Sequence, residues 1–170
     1  SGFVVLMRGM ESDVDRIVEC VPNFSEGRNQ ATVLALVSAV ESVPGVWLLD
    51  HTMDRDHHRS VLSFAGEPDA VAEAAFRTIR VATDLIDLRT HEGVHPRVGA
   101  ADVVPFVPVR GATMQDCIHL AKRLGQRVGT ELEIPVFLYE QAALHRDHAP
   151  LESVRRGGLQ GLAFRMASDP

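Results

Sequence analysis

Residues 91–102 read His91-Glu92-Gly93-Val94-His95-Pro96-Arg97-Val98-Gly99-Ala100-Ala101-Asp102, so two histidines, an arginine and an aspartate fall in one short stretch. An imidazole titrates near neutral pH, which makes His95 and His91 candidates to take or give a proton during a reaction. The competing reading of a loop histidine is a hydrogen bond to backbone. Here the neighbours bring chemistry level with that reading. Arg97 offers a planar, two-pronged contact to a carboxylate or phosphate, or else an ion pair with a nearby acid. Asp102 is placed to orient His95 or to cap the loop. Pro96 fixes its own φ and disfavours helical geometry at His95. Gly93 and Gly99 allow the turns on either side. The stretch is a stiff loop bearing titratable groups.

A second polar cluster is Asp50-His51-Thr52-Met53-Asp54-Arg55-Asp56-His57-His58-Arg59. Asp50 ends an apolar run, where a strand would deliver it to a site. A solvated hairpin turn accounts for Arg55 and Asp56. On extended backbone His57 and His58 face opposite ways, so at most one of them points at a site. His91 and His95 are four apart, the spacing of metal ligands on a helix, but Gly93 and Pro96 argue against a helix. No cysteine or H-E-x-x-H pattern joins them, and no metal is expected. Neither a G-x-G-x-x-G nor a G-K-[ST] loop is present. Cys20 lies in a predicted strand and reads as a small core residue.

The elements that would position these groups follow in order. Residues 17–21 predict a strand stopped by Pro22. Asn23-Phe24-Ser25-Glu26-Gly27 is turn chemistry. A helix begins near Asn29 with Val33, Leu36, Val37 and Val40 on one face, and Pro44-Gly45 ends it. Residues 46–50 predict a buried strand, 51–58 a polar connection, and Arg59 opens an alternating strand. Pro68 starts a second helix with the stripe Val71, Ala75, Ile79, Ala82 and Ile86. Residues 103–109 predict a strand whose Pro105 and Pro108 place it at a sheet edge. Thr113 and Asp116 form a capping box for a third helix with Ile118, Ala121, Leu124, Val128 and Leu132 inward. Residues 134–139 predict a further strand, and the tail from Gln141 is helical in bias. The expected fold is therefore α+β, a ferredoxin-like split β-α-β sandwich with a C-terminal α-β-α extension. A mixed sheet of different order is the alternative.

At 170 residues, 45% hydrophobic and 24% charged, the composition is globular. Residues 1–14 read as an N-terminal extension, with Ser1-Gly2 as a cloning remnant, and 15–170 as one domain. The net charge of −6 and the lack of a basic block argue against nucleic acid and anionic membrane. Two cysteines without a framework suit a reducing cytoplasm. No stretch at the start is long enough to span a bilayer.

Taken together, several motifs resemble one family. Glu19-Cys20-Val21-Pro22-Asn23-Phe24-Ser25-Glu26-Gly27 is similar to the opening of the formiminotransferase (glutamate formimidoyltransferase) N-terminal subdomain. His91, Gly93, His95, Pro96, Arg97, Gly99, Ala100 and Asp102 match its histidine motif. Pro105-Phe106-Val107-Pro108-Val109-Arg110-Gly111 and the stretch 134–139 match later ones. The resemblance covers about residues 16–165. It implies transfer of a formimino group from N-formimino-L-glutamate to tetrahydrofolate as co-substrate. It implies His95 as base, with His91 and Asp102 beside it. Arg97 and Arg59 would hold carboxylates, Asp50 or Asp102 would orient the imidazole, and Asn23 and Gly99 would contact substrate. It also implies a homo-oligomer or pairing with a C-terminal subdomain. The alternative is a stand-alone subdomain that binds folate or another acidic ligand without turnover.

Two residues depart from the family pattern: His58 where asparagine is usual, and Val94 where the family has glutamate. A carboxylate beside an imidazole raises its pKa, so valine leaves His95 near or below the reference of about 6.5. Val94→Glu is expected to raise the His95 pKa and to move the acid limb of the pH–rate profile upward. An NMR titration of the ring with a melting curve checks this. An unchanged pKa with a large fall in melting temperature would show that position 94 is buried and structural.

Overall fold

The computed structural model describes residues 15–90, 92, 99–144 and 150–156. His91, His95 and Arg97, together with Val94, lie outside the described residues.

The centre of the sheet is a strand line in two halves, β1 (Ile17–Cys20) and β2 (Asn23–Phe24). Pro22 separates them because it has no N–H for a ladder. The line stays stitched through the gap: the Leu62 N–H donates to the Pro22 carbonyl (3.1 Å) and the Val21 N–H to the Pro105 carbonyl (3.2 Å). On one side runs a hairpin, β3 (Val46–Asp54) and β4 (Arg59–Gly66), with β4 against the central line. On the other side β5 (Ala101–Val103) pairs β2 and β6 (Phe106–Arg110) pairs β1, with Pro105 interrupting that line too. All pairings are antiparallel. Numbered along the chain, the four lines run fourth, first, third, second across the sheet. Two interleaved β-α-β units produce this order. The α+β class expected from the sequence holds, and the proline-bearing line is a sheet edge.

Three helices cover one face. α1 (Gln30–Glu41) starts where the Asn29 carboxamide oxygen accepts from the N–H groups of Ala31 (3.0 Å) and Thr32 (3.3 Å). α2 (Pro68–Leu85) has proline in its first turn, where the missing N–H costs nothing. Its stripe of Val71, Ala75, Ile79, Ala82 and Ile86 is buried as predicted. α3 (Met114–Glu131) opens with the Thr113–Asp116 capping box. Val18, Cys20, Leu62 and Phe64 of the sheet meet Leu36, Val40, Val71, Phe76, Leu120 and Leu124 of the helices in one core.

Four local expectations need correction. Asn23 and Phe24, read as part of a turn, form strand β2, because the strand line resumes after the Pro22 break. The strand from Val46 does not stop at Asp50 but continues to Asp54, so the connection shrinks to residues 55–58. Edge-strand polarity explains why a pattern reading took 51–54 for a loop. The buried stripe of α3 runs through Cys117 and Leu120, while Ile118 and Ala121 are half-buried. Residues 134–139 form no strand. They lie along α3 at Gly125, where an added Cβ would come within 3.2 Å of Val136 Cγ1, and Pro135 removes one donor. The C-terminal extension is thus α3, an irregular stretch, and α4 (Leu151–Arg155).

α2 and α3 are also tied by charge. Arg127 bonds Glu73 and Glu131, Arg77 bonds Glu73, and the Arg127 guanidinium stacks 3.6 Å from the Phe76 ring centroid. The Arg127 hydrogen bond, outweighing partial burial, holds the Glu73 carboxyl below its ordinary value of 4.5. A depressed carboxyl adds stability that is present above the unfolded value and lost as pH falls through the folded one. Glu73→Gln should therefore lower the melting temperature at neutral pH by roughly 2–4 °C, as for the loss of about 1 kcal/mol in a chain of this size. The gap to wild type should close as the pH is taken well below 4.5. Melting curves across that range check it, and a pH-independent gap would mean that packing rather than charge is responsible.

Candidate functional site

Strand alternation sorts the polar groups by face. Leu48, Phe64, Cys20 and Phe106 form a row across the sheet on the helix side. The neighbouring row, Trp47, Ala65, Glu19 and Val107, points to the opposite side. On that side Asp50 stands beside Ser63, and Thr52, Val61, Asn23 and Val103 form the next row. Arg59, two residues before Val61 and paired with Asp54, continues the same side. No described helix covers this face. Asn23, Asp50 and Arg59, three of the predicted site residues, are therefore brought onto one open sheet face.

Their surroundings differ. Asp50 is exposed. The irregular register between Leu48 and Asp50 turns it into line with Ser63. Asn23 donates from its side-chain nitrogen to the Val21 carbonyl (3.2 Å), which steadies it across the Pro22 break. Arg59 is half-buried, and its Nε is buried without a hydrogen-bond partner among the described residues. A buried guanidinium nitrogen left open is costly and favours an acceptor from a ligand.

The histidine loop is pinned at its C-terminal end by a residue the sequence reading missed. Buried Ser25 donates from its backbone N–H to the Ala100 carbonyl (2.9 Å) and from Oγ to the Gly99 carbonyl (2.7 Å). Gly99 is thereby fixed against the turn before α1. The only sequence hint was a serine inside turn chemistry. Gly27, two residues on, lies so close to the hairpin that a Cβ would overlap the Asp54 carbonyl oxygen and the Arg59 nitrogen. His58, at φ 49°, closes this contact: its Nδ1 accepts from the Gly27 N–H (3.0 Å) and lies 3.6 Å from Glu26 Oε1. His57 instead pairs with Asp54 at 2.8 Å in solvent. The two histidines do diverge, and the inward one holds a turn.

Asp102 occupies a bulge. Phe24 pairs Ala101 and Asn23 pairs Val103, so Asp102 is the extra residue. A bulge re-aims its side chain. The carboxylate, only 3% exposed, forms an ion pair with Arg155 of α4. Asp102 and Gly99 also line a cavity of about 640 Å³ between α2, α3, β5 and residues 134–142. Its wall is largely aliphatic, and burial pushes the Tyr139 hydroxyl on it up to about 12. The cavity offers shape but few reactive groups. Burial raises the Cys20 thiol well above its ordinary value, consistent with a core residue and not a nucleophile. Among the described residues, no group of three or more His, Cys, Asp or Glu is arranged to hold a metal ion.

Comparison with known proteins places the sequence in a family. Residues 17–170 match the family described as formiminotransferase domain, N-terminal subdomain. Glutamate formimidoyltransferase of Streptococcus pyogenes is 44% identical over 154 residues, 91% of this chain and 52% of that protein. The enzyme of the same name from Thermoplasma acidophilum is 47% identical over 144 residues, 85% of this chain and 48% of that one. Formimidoyltransferase-cyclodeaminase of Rattus norvegicus is 45% identical over 153 residues, 90% of this chain but 28% of that protein. This chain spans about half the length of the first two relatives and less than a third of the third. The matched family model and these identities establish that the chain belongs to the formiminotransferase family, as an N-terminal subdomain.

Proposed function

We propose that this chain supplies part of the site that transfers the formimino group of N-formimino-L-glutamate to tetrahydrofolate. The similarity to relatives named glutamate formimidoyltransferase carries the reading. The open face with Asn23, Asp50 and Arg59 supports it, because the donor presents both carboxylates and a cationic amidine. Arg59, with its open Nε, and Arg97 take carboxylates through planar contacts. Asp50, exposed on that face, takes the amidinium. Asn23 and Gly99 contact substrate at the edge next to the histidine loop.

The reaction needs a base. N5 of tetrahydrofolate attacks the amidine carbon and forms the new C–N bond, and its proton passes to His95. The bond from that carbon to the glutamate nitrogen then breaks, and the departing amine takes a proton back. The products are 5-formimino-tetrahydrofolate and glutamate. Asp102, tied to Arg155, and His91 keep the imidazole in position. Val109, the large apolar side chain left exposed at the sheet edge, packs against a second subdomain, with the substrates held between. The second reading, a subdomain that binds folate or another acidic ligand without turnover, differs only in product formation.

General-base assistance is typically about 10²–10⁴-fold. His95→Ala should lower turnover by that factor while the melting temperature and the calorimetric affinity for both substrates hold. Near-normal transfer by this variant would remove His95 from the role. Binding of both substrates by wild type with no 5-formimino-tetrahydrofolate formed would favour the non-catalytic reading.

A further inference from the structure

One carboxylate on the open face has no part in the mechanism above. Glu19 stands in the middle of the sheet, in the row Trp47, Ala65, Glu19, Val107. It is half-buried, and Ser63 Oγ donates to its Oε1. No other hydrogen bond or ion pair reaches it among the described residues, so Oε2 is open toward the uncovered side. A carboxylate at the centre of a sheet face is expensive unless something donates to it. The row around it is unusually apolar and flat: Trp47 is 53% exposed and Val107 42%, while Ala65 between Trp47 and Glu19 leaves no bulk.

We infer that Glu19, oriented by Ser63, is the specificity residue that reads the amino-pyrimidine edge of the tetrahydrofolate pterin, with Trp47 flanking the ring. The inference rests on the folate reading given above. The chemistry matches on three counts. The pterin edge carries two adjacent donors, the 2-amino group and N3–H, and a carboxylate accepts such a pair. The ring is planar and fits over Ala65, small and nearly buried, between the Trp47 indole and the Glu19 carboxylate. The spacing also fits. Glu19 and Asp50 are two residues apart along the strands and two strands apart across them, roughly 6.6 Å by 9.6 Å, or about 12 Å between backbones. A pterin anchored by its amino edge on Glu19 extends its N5 side toward the amidine held at Asp50.

The test uses the full-length protein and two acceptors, tetrahydrofolate and its 2-oxo, lumazine-type counterpart, which lacks the 2-amino donor. Wild type should bind the 2-amino form about 10–100-fold more tightly, the range for one charge-assisted hydrogen bond. Glu19→Gln keeps the bond from Ser63 but should collapse that preference to near unity, with an unchanged KM for formimino-glutamate. Ser63→Ala, which frees the carboxylate without removing it, should weaken the preference partly and carries the test if Glu19→Gln misfolds. A preference retained in Glu19→Gln, or an equal rise in both KM values, overturns the inference. Wild type that binds tetrahydrofolate without preferring the 2-amino form overturns it alone. Wild type that binds neither acceptor overturns the folate reading along with it.

Discussion

Among the described residues the sheet has helices on one side only, and the rest of the structure follows from that. Domains bury apolar faces between layers, and α1, α2 and α3 supply one layer against Val18, Cys20, Leu62 and Phe64. The other face must therefore tolerate water or find another cover. It shows both tendencies. Glu19, Asn23, Asp50 and Arg59 are polar, whereas Trp47, Val107 and Val109 are large and 42–58% exposed. A purely solvated face would not need the second group, and a purely packed one would not carry the first. Mixed composition of this kind suits a surface that closes over a polar ligand.

Irregular backbone, more than regular structure, decides where the reactive groups stand. Pro22 and Pro105 interrupt neighbouring strand lines at the same level, and the Val21 N–H bridges the gap to the Pro105 carbonyl. That shared break sets β2 and β5 off as a short ladder at one end of the sheet. The bulge in this ladder turns Asp102 toward Arg155. The register shift after Leu48 brings Asp50 into line with Ser63 on the open side. Ser25 then ties Gly99 to the turn before α1, and Gly27 seats that turn against the hairpin. Each device moves a side chain or anchors a loop without disturbing the core.

Periodicity made the helices and the central strands legible, because burial enforces it. The α2 stripe and the Thr113 cap could be read directly from residue type and spacing. Edge positions were less legible. Residues 51–54 look like a loop because an edge strand facing water has no apolar alternation to show. Residues 134–139 look like a strand because an apolar run reads the same whether it pairs in a sheet or lies on a helix. Among the candidate residues, residue type pointed to Asp50 and the family resemblance to Asn23 and Arg59, but register alone shows that they share a face. Ser25 and Glu19 lie in a motif that marks the family, but nothing in that motif gives either of them a role. Their importance comes from what they bond across 74 and 44 residues of chain, and no local pattern records that.

A one-sided sheet also links ligand binding to closure. In the uncovered state the charges of Asp50, Glu19 and Arg59 face a high dielectric, where each contact to a ligand is weak. Covering the face removes water and strengthens those contacts, but desolvating unpaired charges opposes it. On the reading proposed above, bound formimino-glutamate and folate would supply the partners: carboxylates for the guanidinium groups, an amidinium and ring donors for the acids. On the proposed reading, the covered state is stable chiefly when substrates occupy it, and each substrate lowers the cost of covering the face for the other. Proton transfer at His95 would then occur in a site closed to water, where a neutral base and a developing charge are influenced most strongly by the groups fixed around them.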